Sequence, residues 1–208
     1  MKQILQFAIG LSLLVSLPVL AIGNAESGQG KAAVCAACHS VDGNSIVPNW
    51  PKLAGQHESY LQRQIALIKS GDRPVPEMAG IVINLNDQDM ADLAAYYASQ
   101  TASAGLTDEA LRANGELLYR GGNAETDIPA CLSCHGPAGE GNPLSGYPSL
   151  AGQHAVYSAK MLTGFRAGTT WGADDSSSKI MTDVAKRLTD DEIAAVASYI
   201  QGLHSVEE

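Results

Sequence analysis

From Thr189 onward, apolar residues recur at Ile193, Val196, Ala197 and Ile200, the i, i+3, i+4, i+7 spacing of one helix face. Thr189 with Glu192 three residues later is the signature of a capping box, so a helix is predicted to start there. The same layout occurs earlier, with Asn86 as the cap and Met90, Leu93, Ala94 and Tyr97 on the stripe. Another helical stripe follows the first "AGQH", through Tyr60, Gln64, Leu67 and Ile68. No stretch of useful length alternates with period two. The chain is predicted to be all-α.

These helices belong to a repeat. "NWPKLAGQHESY" (49–60) matches "GYPSLAGQHAVY" (146–157) at an offset of 97, and "MAGIVINLNDQDMADLAAYYAS" (78–99) matches "MTDVAKRLTDDEIAAVASYIQG" (181–202) at 103. One module therefore occurs twice, and the second copy carries six more residues near "GTTWGADDSSS" (168–178), whose Gly, Ser and Asp content predicts a surface loop. "SQTASAGL" is small and polar, and Thr107 with Asp108 and Glu109 starts a new helix. The expected organisation is an N-terminal module over 26–98, a linker over 99–106 and a C-terminal module over 107–208. Ahead of these, Lys2, an apolar run from Phe7 to Ile22 and the small-x-small Gly23-Asn24-Ala25 read as an export leader, 1–25, cut after Ala25. That places the mature protein in the periplasm.

Charge and composition narrow the function. A formal net charge of −9 over 208 residues argues against nucleic acid, because binding phosphates needs a basic face. It suits encounter with basic patches on protein partners. Peripheral association with a membrane is compatible with the same surface. The whole chain holds only two Phe. Helical modules this small struggle to bury enough apolar surface with side chains alone. A large apolar group at the centre of each would complete the core.

All four cysteines lie in two copies of Cys-x-x-Cys-His: Cys35, Cys38 and His39, then Cys131, Cys134 and His135. A Cys₄ zinc site usually joins pairs about 15–20 residues apart, whereas 92 residues separate these. A thioredoxin-like disulfide would sit in a strand–helix context and lack the following His. Covalent haem needs what is present: two thiols to add across the porphyrin vinyl groups and an adjacent imidazole for the iron. Two haem c groups are expected. Met78 and Met181, and His57 and His154, are the residues of ligand type repeated at equivalent places. The two Met precede the capped helices in loop-like segments, off the apolar stripe, and are expected to be the second axial ligands. His57 and His154 are expected on the polar surface or near the haem propionates, and Met161, aligned with Gln64, in packing. With both axial places on each iron filled, no position is left for a substrate, so electron transfer is expected rather than catalysis. An enzyme such as a di-haem peroxidase or a thiosulfate-oxidising cytochrome would need one open site; a subunit of a larger dehydrogenase or oxidase is a further alternative.

The order Cys-x-x-Cys-His, Pro-x-Leu-x-Gly ("PKLAG", 51–55; "PSLAG", 148–152), Met and capped C-terminal helix resembles the class I cytochrome c module. Two such modules in tandem, each with "LAGQ", resemble the di-haem cytochrome c4 family over nearly all of 26–204. The resemblance implies that the Pro carbonyl accepts a hydrogen bond from the proximal His. It also implies that "NGELLYRGG" (114–122), and the shorter "GQGKAAV" of the first copy, form the helix that crosses the C-terminal one. It further implies a periplasmic carrier taking electrons from quinol-oxidising complexes or soluble donors to a terminal oxidase. Trp50 and Tyr147, each just before the Pro, are expected to hydrogen-bond a propionate.

Overall fold

The structure is a computed structural model describing residues 22–173 and 175–204. The body of the expected leader, 1–21, lies outside the described residues. The first module comprises α1 (Ala25–Lys31), α2 (Ala33–His39), α3 (Glu58–Ser70), α4 (Pro76–Val82) and α5 (Asp87–Ala98). The second repeats the order with α6 (Glu109–Gly121), α7 (Leu132–His135), α8 (Ala155–Arg166), α9 (Ser176–Ala185) and α10 (Asp190–Gly202). Among the described residues the only β-type pairings are two isolated bridges, and no helix is long and apolar enough to cross a membrane.

The predicted capping box at Thr189 forms, and the predicted cap at Asn86 is a capping box as well. The Asn86 side chain accepts from the Asp89 N–H while the Asp89 carboxylate accepts from the Asn86 N–H, and Thr189 with Glu192 does the same for α10. All eight stripe residues of α5 and α10 are buried. The α6 cap is Asp108 rather than Thr107, its carboxylate accepting from Ala110 N–H at 2.9 Å.

Each module is held by a helix crossing in which backbones touch. In α1, a Cβ on Gly28 would stand 2.0 Å from the Asp92 carbonyl oxygen of α5; in α6, one on Gly115 would stand 2.3 Å from that of Ala195 in α10. Only glycine permits this approach. The short helix of the first copy is thus a true counterpart of α6, and the residues before it belong to it. Asn24 caps α1 through Ser27 N–H (2.8 Å), Asn24 N–H donates to Asp92 Oδ1 (2.9 Å), and Gln88 Nε2 donates to the Ile22 carbonyl (2.9 Å). A leader cut after Ala25 would remove this cap and both tethers.

The modules meet across a near-symmetric seam. Gln56 takes the N–H and C=O of Ser149 at 2.9 and 2.8 Å, and Gln153 takes those of Lys52 at 2.9 and 3.0 Å. Each glutamine belongs to one "AGQH" and clasps the Pro-x-Leu backbone of the other module. The linker is stitched to both sides: Ser103 N–H donates to Asn44, Lys52 Nζ to the Ser103 carbonyl, and Gly105 N–H to the Gln201 carbonyl.

The extra segment of the second module departs from the expected surface loop. Trp171 is 6% exposed and tilts against Phe165, with the Arg73 guanidinium of the first module 4.5 Å over its ring. Asp175 caps α9 and pairs with Arg63 of α3. Gly, Ser and Asp marked the turn correctly, but the one Trp in it needs burial, and the neighbouring module supplies part of the cover.

Candidate functional site

The two Cys-x-x-Cys-His segments fold as short helices whose last residue is the histidine, buried in both cases: His39 ends α2 and His135 ends α7. The chain then reverses at once, through Ser40 at φ 65° in the first module and Gly136 at φ 77° in the second. That reversal brings the Pro-x-Leu segment over each imidazole. His39 Nδ1–H donates to the Pro51 carbonyl at 2.8 Å and His135 Nδ1–H to that of Pro148 at 2.9 Å. A carbonyl can only accept, so Nδ1 carries the proton and Nε2 keeps its lone pair. Burial holds both imidazoles below the ordinary histidine pKa, favouring the neutral, ligating form.

All four cysteines are free and half-buried. Burial raises Cys35 above the usual thiol range and pushes Cys131 up to about 11. Among the described residues no three His, Cys, Asp or Glu side chains converge, so the two pairs do not build a shared Cys₄ site. Soft thiols, a neutral imidazole with its orientation locked and a thioether sulfur form a donor set that fits haem c. The small first core, of Ala32, Leu61, Leu93, Ala94, Tyr96 and Tyr97, is consistent with a large apolar group completing it. The hydroxyl of Tyr97, within that core, is buried beside the Cys35 thiol.

Met78 and Met181 lie on helices, where loops were expected: α4 starts at Pro76, suited to a first turn that needs no N–H, and α9 starts under the Asp175 cap. Both methionines are half-buried. Met181 packs against the second core with Cys131 and Leu132. Met161 joins the same core, as the repeat suggested. His154 is neither a plain surface residue nor free: its Nε2 lies 2.8 Å from the carbonyl of Ser45 and 3.0 Å from its hydroxyl, across the seam. His57, its counterpart, has a buried Nε2 without a partner. Trp50 is 36% exposed, and the Tyr147 ring sits 6.1 Å from that of His135.

Sequence reasoning missed the seam residues Gln56, Gln153, Arg73 and Trp171. For the glutamines a signal existed, since "AGQH" is repeated intact although no haem chemistry requires its Gln.

The family model described as Cytochrome c matches residues 25–101 and again 113–204. The chain is 53% identical over 198 residues to cytochrome c4 of Pseudomonas aeruginosa, covering 93% of this chain and 98% of that one. It is 35% identical over 188 residues to a thiosulfate dehydrogenase electron acceptor of Stutzerimonas stutzeri, covering 88% and 85%. The crystal structure of reduced recombinant cytochrome c4 from Pseudomonas stutzeri superposes with a TM-score of 0.83 at 52% identity, covering 88% of this chain and all of that one. Two cytochrome c modules carry two covalent haem c groups, at Cys35/Cys38 and Cys131/Cys134. With two matched modules, the paired thiols and the Pro-locked histidines, the chain belongs to the cytochrome c4 family of di-haem electron-transfer cytochromes.

Proposed function

We propose that His39 with Met78, and His135 with Met181, are the axial pairs of the two haems, and that the protein is a periplasmic electron carrier without catalytic activity of its own. The observation that carries this reading is the duplication itself: each module has the same Pro-locked, neutral imidazole and a half-buried Met on the helix before the capped one. When bound, a haem with imidazole and thioether ligands supplies one-electron chemistry at a raised potential. The protein's part is to hold each imidazole in one tautomer and orientation, to cover the macrocycle with α3–α5 or α8–α10, and to fix the modules relative to each other. The paired glutamine clasps of the seam would hold the two redox centres in one arrangement.

Electrons are proposed to arrive from a quinol-oxidising complex or a soluble donor and to leave to a terminal oxidase. The relative named as a thiosulfate dehydrogenase electron acceptor makes a thiosulfate-oxidising enzyme a second donor class. The acidic surface favours basic docking patches: residues 26–103 carry 5 basic and 8 acidic side chains, and 104–208 carry 7 and 14. Asp190 is engaged by Arg166 at 2.6 Å, so Asp191→Lys is the cleaner test of steering, and exchange with a basic partner should become less salt-dependent in that variant.

Ligation is tested with Met78→His and Met181→His. Each should lower one haem potential and remove about half of the far-red thioether–iron band, since one site of two changes. Loss of that band in Met161→Leu, with Met181→Leu unaffected, would overturn the assignment in the second module.

A further inference from the structure

The two glutamine clasps grip particular peptide groups. Pro51 contributes the carbonyl and Lys52 the N–H of one peptide unit. The carbonyl accepts from His39 Nδ1–H at 2.8 Å, and the N–H donates to Gln153 Oε1 at 2.9 Å. The Pro148–Ser149 peptide of the second module does the same. Its carbonyl accepts from His135 Nδ1–H at 2.9 Å, and its N–H donates to Gln56 Oε1 at 2.9 Å. Each proximal imidazole is therefore one peptide group away from an amide oxygen of the opposite module.

The backbone dictates which way both amides face. An N–H can only donate and a C=O can only accept, so each Oε1 faces the N–H and each Nε2 the carbonyl of the gripped residue. Gln153 Nε2 donates to the Lys52 carbonyl at 3.0 Å and Gln56 Nε2 to that of Ser149 at 2.8 Å. Each Oε1 also accepts from the N–H of the next residue, His154 or His57, at 3.0 Å. A peptide group transmits such contacts, because resonance shares electron density between its nitrogen and its oxygen. An acceptor on the N–H moves density onto the carbonyl oxygen, which then holds the imidazole N–H more strongly; away from water such chains reinforce one another. An imidazole held more strongly at Nδ1 is more basic at Nε2, the nitrogen that faces the iron.

We propose that Gln153 and Gln56 are positioning residues for the proximal histidine of the opposite module: Gln153 raises the basicity of His39, Gln56 raises that of His135, and each thereby lowers the potential of the haem across the seam. The inference rests on His39 and His135 being the proximal ligands. A more basic ligand favours Fe(III), the more highly charged state, and hydrogen bonding behind the ligand is one of the means by which a protein sets a haem potential. Neither module then has its complete ligand environment without the other.

The experiment is a potentiometric titration of the haem-loaded full chain, with proton–nitrogen NMR of its reduced, diamagnetic form, on wild type, Gln153→Leu, Gln153→Glu and Gln56→Leu. Met78→His and Met181→His, each altering one haem, assign the two potentials. Both Gln153 variants lose the donor to the Lys52 carbonyl, but only the glutamate keeps an acceptor for the Lys52 N–H. Gln153→Leu should raise the first haem's potential, leave the second near wild type and move the His39 Nδ1–H resonance upfield. Gln153→Glu should bring the first potential to or below the wild-type value and move that resonance downfield. Gln56→Leu should raise the second haem's potential alone and move the His135 resonance upfield. Potentials and resonances unchanged in both leucine variants would overturn the proposal. So would two Gln153 variants that lower both potentials together, since a seam merely loosened admits water to both haems and water favours the charged Fe(III). The far-red thioether–iron band, recorded on the same samples, reports the methionines separately. Its absence from wild type would overturn the pairing with Met78 and Met181 and leave the Nδ1–H resonances to decide the present proposal.

Discussion

Replacing Gly28 and Gly30 one at a time with alanine tests the central packing claim within a single helix. Both residues lie in α1. A Cβ at Gly28 would meet the Asp92 carbonyl oxygen at 2.0 Å, its carbon at 2.6 Å and Tyr96 Cβ at 2.7 Å, whereas at Gly30 it would meet nothing within 4 Å. Contact between non-bonded heavy atoms is favourable at about 3.5–4.0 Å, so Gly28→Ala forces α1 and α5 apart by more than an ångström. The obstacle is backbone and cannot rotate aside. Overpacking of this kind costs about 1–3 kcal/mol, and the upper end is expected here. Gly30→Ala has the opposite sign, because alanine loses less backbone freedom in a helix than glycine, stabilising by roughly 0.5–1 kcal/mol. For a chain of this size each kcal/mol moves the melting temperature by about 2–4 °C. Thermal unfolding of the haem-loaded protein, followed by far-UV circular dichroism, should therefore place the two variants on opposite sides of wild type. Equal melting temperatures, or a Gly30→Ala variant as weakened as Gly28→Ala, would refute the backbone-contact account of the α1/α5 crossing.

Gln153→Ala should leave the Lys52 N–H and C=O unpaired, weaken the seam by roughly 1–3 kcal/mol, and show as faster proteolysis within the linker 99–106; a cleavage rate equal to wild type argues that the clasp is idle. Lys31, Gln88 and the Asn24 N–H hold the Asp92 carboxyl down to about 2. With its folded pKa depressed, the stability it contributes is present above the unfolded value of about 4 and is lost as pH falls toward 2; Asp92→Asn should make acid unfolding shallower in that window. Intact mass of the exported protein should give a chain beginning at or before Ile22 together with two haems, because Ile22, Gly23 and Asn24 are tied to Gln88, Glu58 and Asp92. N-terminal sequencing that starts at Glu26 would refute it.

The sequence by itself determined the parts of this protein whose information is local or duplicated. Helix stripes at 3.6-residue spacing, caps at Asn86 and Thr189, and the spacing of thiols to imidazole are set within a few residues by backbone geometry and covalent chemistry. Having each of them twice separates signal from accident. The His39–Pro51 and His135–Pro148 bonds were also legible, by resemblance, since they span a single loop. Tertiary structure alone decided the rest. That Asn24 belongs to the fold depends on Asp92, far along the chain, and a small-x-small run looks the same whether a peptidase or a helix crossing uses it. That Trp171 is buried depends on a neighbouring module, and composition cannot report the neighbour. The clasp of Gln56 on Ser149 and of Gln153 on Lys52, and the stacking of Arg73 on Trp171, arise between residues remote in sequence whose meeting follows from how two already folded surfaces fit. A side-chain pattern encodes its own helix directly; it encodes a seam only through the shape that all the helices make together.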